Sequence, residues 1–280
     1  MSIYKPSELR LFLNELGIFP KKGLSQNFLI DGNIIRKIVA TAEVKPGDLV
    51  LEIGPGPGSL TQALLEAGAH VVAVEKDRVL AEALKRLQTP SNQLEVFCED
   101  IMDFPIEATL KERSQSGRAK VIANLPYHIT TPILATLVPQ RHLFSSITVM
   151  VQEEVARRFV ALPKTKDYGS FTIFLKFYTE PSYAFRVSPH CFYPEPKVIS
   201  AVVKLDLKES PPIDNETAFF EMTRTAFKQR RKMLRVSLKL LYDSEVVSSA
   251  LEAIGQNPLA RPEQLDLQEF LDLYAFLNAR

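Results

Sequence analysis

The segment AKVIANLPY, residues 119–127, ends an apolar run with a side-chain amide, a proline and an aromatic ring. The Asn124 side chain and the Leu125 main chain both offer carbonyl oxygens that can accept hydrogen bonds from an amino group. Pro126 has a fixed φ and restricts Leu125 to an extended conformation, which can aim that carbonyl. Tyr127 offers a flat face for a stacked base, worth about 1–3 kcal/mol. These residues could recognise a planar ring that carries an amino group.

A glycine-rich turn lies earlier, in VLEIGPGPGSL at residues 50–60. Gly54, Gly56 and Gly58 separate a strand-like run from a helical pattern that Ser59 could cap, and the missing side chains let a ligand approach main-chain N–H groups. The dinucleotide pattern G-x-G-x-x-G requires a glycine where Ser59 stands, which disfavours hydride transfer. Alone, the turn also fits a simple strand-to-helix connection.

Acids follow the next two strand-like runs. Glu75 ends HVVAVE, near the spacing at which a carboxylate accepts hydrogen bonds from both ribose hydroxyls. Asp100 ends LEVFCED, where it can accept from an adenine amino group while Ile101 packs on the ring. Each acid alone fits a solvated strand end. Three successive strand ends together favour a nucleoside, because ligands of open α/β sheets bind at the carboxyl ends of the strands.

The elements that must position these residues alternate between strand-like and helical patterns from Asp48 onward, which predicts a mostly parallel sheet covered by helices. The run KVISAVVKLDL, at 197–207, predicts a later antiparallel strand added at the edge. The polar segment KESPPIDNE, at 208–216, is a candidate linker, and only helical patterns follow it. The sequence therefore predicts one domain over 1–211 and a small helical domain over 212–280.

The region after this linker contains a basic segment. Between Arg224 and Lys239 there are seven basic residues and no acid, and on a helical wheel five of them form one stripe beside an apolar stripe. A solvated face is the alternative, but the missing acids favour contact with nucleic-acid phosphates. The residues predicted to bind nucleic acid are Arg224, Lys228, Arg230, Arg231 and Lys232, with Lys21 and Lys22 as the second choice.

Composition excludes several classes. The chain has 280 residues, 46% of them hydrophobic, so it can bury a core, while its formal net charge of +1 is uninformative alone. Cys98 and Cys191 are far apart and the four histidines are scattered, so we expect no disulfide and no metal. Glu8 and Glu15 argue against a secretory signal, and no apolar run is long enough to cross a membrane. We expect a cytoplasmic monomer.

The glycine turn with its two acids resembles the S-adenosylmethionine-dependent methyltransferases. The resemblance implies a Rossmann-like α/β sheet, a glycine loop that approaches the methionine part of S-adenosyl-L-methionine, and acids that hold its ribose and adenine. An adenine N6 is a poor nucleophile, so Asn124 and Leu125 would accept its two hydrogens and make the nitrogen more pyramidal. No general base is needed, since the product ammonium is acidic and rate comes from positioning. Alone, NLPY fits a turn with a core tyrosine.

With NLPY added, nearly the whole chain is similar to the rRNA adenine N6,N6-dimethyltransferase family, and most to its small-subunit (16S) branch. GLSQNFLID, CFYPEPKVISAVVKL and AFKQRRKMLRVSL also match. The resemblance implies that Asn27 and Leu29 close over the cofactor and that Phe192 lies beside the target base, opposite Tyr127. It also implies dimethylation of two adjacent adenosines in the 3′-terminal hairpin loop of small-subunit rRNA, within a pre-ribosomal particle. The loop departs from the family pattern in its two prolines, and His128 replaces a small polar residue.

Two alternatives stay open. A large-subunit rRNA adenine methyltransferase of the macrolide-resistance type shares the cofactor loop and a similar N-x-P-Y site, although FKQRRKMLR and the helical tail favour the small-subunit interpretation. A non-catalytic RNA-binding assembly factor would be expected to lose the site. Here Gly54, Glu75, Asp100 and NLPY all keep the required chemistry, which favours an enzyme.

Overall fold

The structure is a computed structural model and describes residues 6–18, 27–113 and 117–279. The strands within these ranges are β1 (Phe28–Leu29), β2 (Leu49–Ile53), β3 (His70–Glu75), β4 (Leu94–Cys98), β5 (Ala119–Asn124), β6 (Phe144–Gln152), β7 (Thr179–Val187), β8 (Phe192–Tyr193) and β9 (Ser200–Leu207). The α-helices are α1 (Pro6–Glu15), α2 (Gly32–Thr41), α3 (Ser59–Glu66), α4 (Arg78–Leu84), α5 (Ile106–Arg113), α6 (Thr130–Leu137), α7 (Glu153–Val160), α8 (Ser170–Tyr178), α9 (Glu216–Lys228), α10 (Leu234–Ser237), α11 (Ser244–Ala253) and α12 (Leu267–Asn278).

A seven-stranded sheet in the order β4-β3-β2-β5-β6-β9-β7 forms the centre of the fold. The first five strands of this order are parallel, and β9 runs antiparallel to β6. The predicted α/β class and the antiparallel direction of β9 are therefore confirmed. The predicted edge position of β9 is wrong, because β7 lies outside it. Since β2, β3, β4 and β5 are parallel neighbours, their carboxyl ends lie at one edge of the sheet.

The neighbouring parallel strands β3, β2 and β5 are buried along almost their whole length, as expected for parallel strands that are covered on both faces. Aliphatic side chains from β2 and β3 pack with those of α2 and α3 in one core cluster. A smaller cluster joins Leu9, Phe12 and Leu13 of α1 to Phe28 and Leu80. This second cluster places α1 beside the carboxyl edge of the sheet.

The helix α3 does not begin as predicted. Gly58 precedes it with φ 94°, and Ser59 is the first helical residue, so the expected Ser59 cap is wrong. The next helix along the sheet, α4, has a side-chain cap instead. Asp77 Oδ1 accepts hydrogen bonds from the main-chain N–H groups of Val79 (3.0 Å) and Leu80 (3.4 Å).

The basic segment is not one continuous helix, which corrects the predicted stripe. The helix α9 ends at Lys228, and α10 has only four residues and begins after the extended residue Met233. The chain turns between them, with Lys232 N donating to Gln229 O at 2.8 Å. The residues on either side of this turn therefore do not share a helix face.

The chain divides into two compact units, Met1–Ala156 with Ser182–Leu207, and Arg157–Pro181 with Lys208–Arg280. The second unit begins four residues before the predicted boundary at 212, and it includes a segment that the sequence assigned to the first domain. Aromatic packing explains the difference, because Phe177 of α8 lies 5.7 Å from Phe219 and 5.1 Å from Phe220, between ring centroids. Within the described ranges, no helix has the length and apolar character that a bilayer crossing requires.

Candidate active site

The carboxyl ends of β2, β3, β4 and β5 surround one pocket in the first unit. Its wall brings together all of the predicted cofactor residues and the NLPY segment: Asn27, Leu29, Gly54, Gly56, Glu75, Asp100, Ile101, Asn124, Leu125, Pro126 and Tyr127. Residues 23–26 of GLSQNFLID, together with Lys21 and Lys22, lie outside the described residues. The residues that the sequence analysis placed at separate strand ends therefore line the same pocket, as predicted.

The glycine turn between β2 and α3 uses left-handed main-chain conformations. Gly54, Gly56 and Gly58 have φ values of 64°, 59° and 94°. A Cβ at Gly56 would lie 3.0 Å from the Phe28 ring, and one at Gly58 would lie 2.7 Å from Leu84. Side chains at these positions would therefore strain the main chain and collide with the residues that pack around it.

Glu75 connects this turn to the end of β3. Its Oε2 accepts a 2.9 Å hydrogen bond from Gly56 N, and its Oε1 accepts one of 2.9 Å from Asp77 N. Burial raises the pKa of the Glu75 carboxyl, while these main-chain N–H groups act in the opposite direction. Each carboxylate oxygen can accept a further hydrogen bond, so the group can still take hydroxyl donors from the pocket.

Asp100 is held by a lysine that the sequence analysis missed. Its Oδ2 accepts a 2.7 Å hydrogen bond from Lys76 Nζ, and its Oδ1 accepts from Met102 N at 3.0 Å. The hydrogen bond from Lys76 is the main reason that the pKa of Asp100 lies below its ordinary value. Asp100 is therefore an ionised acceptor at neutral pH, and Ile101 beside it is buried. The position of Lys76 directly after Glu75 was the available signal.

The NLPY segment, residues 124–127, lies at the end of β5. The Asn124 Nδ2 donates a 3.2 Å hydrogen bond to the main-chain carbonyl of Asn27, which sets the orientation of the amide. Leu125 is buried, and its N–H donates to Met150 O at 3.2 Å. The amide nitrogen of Asn124 is thus engaged by the protein, and its Oδ1 is the end that can accept from a ligand.

Tyr127 is fixed by a residue on β9. Its hydroxyl lies 2.7 Å from Ser200 Oγ, and Ser200 is fully buried. Burial raises the pKa of the Tyr127 phenol, so it stays protonated at neutral pH. Phe192 is not in the pocket wall. It is buried in the core and pairs with Leu29 through the short β1–β8 ladder, so its contact with a target base stays a prediction.

Glu52 and Ser59 also line the pocket, and the sequence analysis did not select Glu52. Glu52 lies within β2 and is 1% exposed, yet neither carboxylate oxygen has a hydrogen-bond partner, and the same is true of the buried Ser59 hydroxyl. Burial raises the pKa of Glu52 to about 8. The nearby Thr61 hydroxyl lowers this pKa, although it forms no hydrogen bond with the carboxylate. A carboxylate inside an apolar strand was the signal that sequence could have used.

A cation links the glycine turn to α1. Arg86 Nη2 donates a 2.6 Å hydrogen bond to Pro57 O, and the Arg86 Cζ lies 4.4 Å from the centroid of the Phe12 ring. Phe12 packs in the same cluster as Phe28 and Leu80, which both line the pocket. The glycine turn and α1 are therefore both in contact with the same guanidinium group.

The predicted RNA-binding residues differ in their surroundings within the second unit. Arg224, Lys228, Arg231 and Lys232 are at least partly exposed. Arg230 instead donates hydrogen bonds to the main-chain carbonyls of Lys166 and Thr165, the latter at 2.6 Å, and its Nε lies 3.9 Å from Glu263. The absence of acids within the segment did not reveal these partners of Arg230, because they come from distant parts of the chain.

Comparison with known proteins adds a family match. The family model described as "Ribosomal RNA adenine dimethylase" matches residues 20–279. The chain is 70% identical to "Ribosomal RNA small subunit methyltransferase A" of Protochlamydia amoebophila, over 98% of this chain and 97% of that protein. It is 49% identical to the protein of the same name from Chlamydia caviae, over 100% of this chain and 99% of that one.

Solved structures are similar as well. A dimethyladenosine transferase from Plasmodium falciparum superposes with a TM-score of 0.77 at 28% identity, covering 90% of this chain and 98% of that one. The 23S rRNA methyltransferase ErmE superposes with a TM-score of 0.69 at 26% identity, covering 90% of this chain and all of that one. Both similarities extend over most of the fold described above.

Proposed function

This chain belongs to the ribosomal RNA adenine dimethylase family, and on that premise we propose that it dimethylates the N6 amino groups of two adjacent adenosines in the 3′-terminal hairpin loop of small-subunit (16S) rRNA. The methyl donor is S-adenosyl-L-methionine. The observation that carries the choice of subunit is the 70% identity to a small-subunit methyltransferase over nearly the whole chain. The 26% identity to a 23S rRNA enzyme gives less support to the large-subunit alternative.

The pocket has the groups that the donor requires. Glu75 has free acceptor capacity on both oxygens for the ribose hydroxyls, and Asp100 is an ionised acceptor for the adenine amino group, next to the apolar Ile101. The main chain at Gly54 and Gly56 has no side chain to keep the methionine part at a distance. Asn27 and Leu29 line the same pocket and would close over the donor. When bound, S-adenosylmethionine supplies an electrophilic methyl group on a sulfonium.

The acceptor chemistry depends on Asn124 and its neighbours. Because Asn27 O holds the amide nitrogen of Asn124, the Oδ1 is left to accept one hydrogen of the adenine N6, and the Leu125 carbonyl accepts the other. Pro126 keeps Leu125 extended, and Tyr127, tied to Ser200, stacks on the base. The nitrogen lone pair then faces the methyl group. The proton of the resulting ammonium leaves to water, so the chain contributes positioning and preorganised dipoles and needs no general base.

Contact with the RNA is assigned to the helical domain over 212–280, and methyl transfer to the domain over 1–211. Four residues with accessible side chains, Arg224, Lys228, Arg231 and Lys232, contact phosphates, while Arg230 mainly holds their loop. We also propose that the protein acts as a cytoplasmic monomer on a pre-ribosomal small subunit. Size-exclusion chromatography with light scattering at micromolar concentration tests the monomer.

A methyl-transfer assay tests the function. Small subunits that lack the modification are incubated with the protein and labelled S-adenosylmethionine, and the methylated bases are mapped. We expect dimethyladenosine at two adjacent positions of the small-subunit hairpin loop. Labelling of large-subunit rRNA would support the macrolide-resistance alternative, and RNA binding without any transfer would indicate a non-catalytic assembly factor.

A further inference from the structure

The loop between α7 and α8, residues 161–169, is anchored at both of its ends. At the first end, the main-chain carbonyl of Ala161 accepts a 2.8 Å hydrogen bond from Lys176 Nζ of α8. At the other end, Tyr168 is 1% exposed, and its ring centroid lies 6.0 Å from that of Phe227 and 5.8 Å from the Lys176 Nζ. The loop is therefore tied to the helices of the second unit where it leaves α7 and where it enters α8.

The tip of this loop is also fixed, by hydrogen bonds to two other segments. Lys164 N donates a 2.6 Å hydrogen bond to the main-chain carbonyl of Glu263. The guanidinium of Arg230 donates to the carbonyls of Lys166 and Thr165. Lys164 has φ 67°, a left-handed conformation that is uncommon outside glycine and persists only where the surroundings hold it. The tip therefore has a defined main-chain shape before any partner binds.

The fixed tip carries two cations without counter-charges. Lys164 and Lys166 are exposed, and neither forms an ion pair with any residue that the structure describes. Asp167 is the one acid of the loop, and it is partly buried and pairs with neither lysine. The carboxylate of Glu263 lies beside Arg230, at 3.9 Å, and not beside the lysines. A preformed pair of unpaired cations can bind a polyanion at little cost in conformational entropy.

We propose that Lys164 and Lys166 bind phosphates of the RNA backbone, next to the phosphates assigned to the basic segment. This inference rests on the proposed action on rRNA, and it adds a second contact element outside the C-terminal helical domain. Arg230 places the two elements side by side, because it belongs to the basic segment and bonds to the loop. A lysine ammonium binds a phosphate as a point charge and reads no base. The loop therefore contributes affinity and orientation on the RNA, and no sequence selectivity.

Filter binding of the full-length protein to methyl-deficient small subunits at several salt concentrations tests the contact. Lys164→Gln with Lys166→Gln should lower the slope of log affinity against log salt by about 0.7–0.9 for each lysine, which weakens binding roughly 5- to 8-fold per lysine at about 0.1 M salt. The matched control is Lys85→Gln with Lys111→Gln, which removes two charges from exposed lysines of the first unit and should bind like the wild type. Melting temperature and S-adenosylmethionine affinity should be unchanged in both double variants.

Lysine footprinting of the wild type gives a second readout. Acetylation by an amine-reactive reagent, measured by mass spectrometry, should slow at Lys164 and Lys166 when the small subunit is bound, and stay unchanged at Lys111. An unchanged salt slope in the folded loop variant would overturn the inference. Protection of the two lysines without a change in slope would also overturn it, because a ribosomal protein would then contact the loop.

A single substitution covers the case in which the loop variant does not fold. Lys166→Gln alone should lower the salt slope by about 0.7–0.9, and an unchanged slope there would be equally decisive. Failure of the wild type to bind small subunits at any salt concentration would instead reject the proposed function.

Discussion

The main-chain N–H of Gly56 donates a 2.9 Å hydrogen bond to Oε2 of Glu75, joining the glycine turn after one strand to the acid that ends the next. The other oxygen, Oε1, holds the N–H of Asp77, which caps α4. The carboxylate therefore shapes the main chain around the pocket and also offers its remaining lone pairs to a ligand. Substitution of Glu75 should affect both properties.

We expect Glu75→Ala to weaken S-adenosylmethionine binding while the protein stays folded. Removal of both ribose hydrogen bonds to a charged acceptor should cost about 1.5–3 kcal/mol, so affinity should fall roughly 10- to 150-fold. Isothermal titration measures it, and circular dichroism checks the fold. The control is Glu82→Ala, at an exposed residue of α4, which should bind S-adenosylmethionine like the wild type. Glu99 is unsuitable as a control because it lines the pocket. Unchanged affinity in a folded variant would remove Glu75 from the site.

Asn124→Ala should slow methyl transfer far more than it weakens RNA binding. The amide nitrogen is held by Asn27 O, which leaves the amide oxygen available to the acceptor, and removal of one preorganised hydrogen bond of this type lowers rates about 10²–10³-fold. Single-turnover kinetics with saturating RNA and donor measure the effect. Asn33→Ala, at an exposed residue of α2, should react at the wild-type rate. A near-normal rate in Asn124→Ala would contradict the proposed role.

Two substitutions of Tyr127 separate its ring from its hydroxyl. Tyr127→Phe keeps the stacking face and loses only the bond to Ser200, so we expect a small change in methyl transfer. Tyr127→Ala removes a stacking interaction of about 1–3 kcal/mol and should reduce kcat/KM for the RNA roughly 5- to 150-fold. Steady-state assays with unmethylated small subunits measure both. Equal reductions in the two variants would show that the hydroxyl, and not the ring, is important.

The basic segment can be divided by substitution. Arg231→Gln with Lys232→Gln should weaken rRNA binding and lower the slope of log affinity against log salt by about 0.7–0.9 for each phosphate that is no longer neutralised, without a change in melting temperature. Arg230→Gln should instead lower the melting temperature by several degrees with little change in slope, because Arg230 bonds to Lys166 and Thr165. Filter binding at several salt concentrations and a melting curve measure both. An unchanged slope in the double variant would contradict the assignment of phosphate contacts to Arg231 and Lys232 and favour Lys21 and Lys22 instead.

The ligand-free protein should lose stability as pH rises from about 4.5 to about 8. Burial raises the pKa of Glu52 from 4.5 to about 8, so the folded state holds a proton that the unfolded state releases. The stabilisation is complete below pH 4.5 and falls until pH 8, with an upper limit of roughly 5 kcal/mol. Glu75, whose pKa is also raised by burial, acts in the same direction. Melting temperatures between pH 6 and 8.5 should decline less in Glu52→Gln, and parallel curves would contradict this account.

Strands with strong apolar patterns could be predicted from the sequence, but the elements between 153 and 187 could not. The α8 sequence SFTIFLKFY consists largely of β-branched and aromatic residues, which have modest helix propensity. Its helix is stabilised by packing of Phe174, Phe177 and Tyr178 against Phe220, a contact between segments more than 40 residues apart in sequence. The edge strand β7 contains Pro181 and mostly exposed residues, so it lacks a regular alternating pattern.

The candidate site was predictable where each residue had a fixed place relative to a strand end. Gly54, Glu75, Asp100 and Asn124 mark the ends of four strands whose parallel direction the alternation of elements already implied, while the order of these strands comes from the structure. The position of Lys76 beside Glu75 was a signal, but its partner Asp100 is 24 residues away, and Ser200 is 73 residues from its partner Tyr127. The same limit applies to Arg230. Its local neighbours are basic, and the carbonyls that hold it come from the region around Thr165.

The single guanidinium of Arg86 couples two segments of the chain that are far apart in sequence. It bonds to the carbonyl of Pro57 in the glycine turn and stacks on Phe12 of α1. Truncation of Arg86 would therefore remove one hydrogen bond from the glycine turn and one ring contact from α1 at the same time. A single substitution outside both segments would thus loosen the two together.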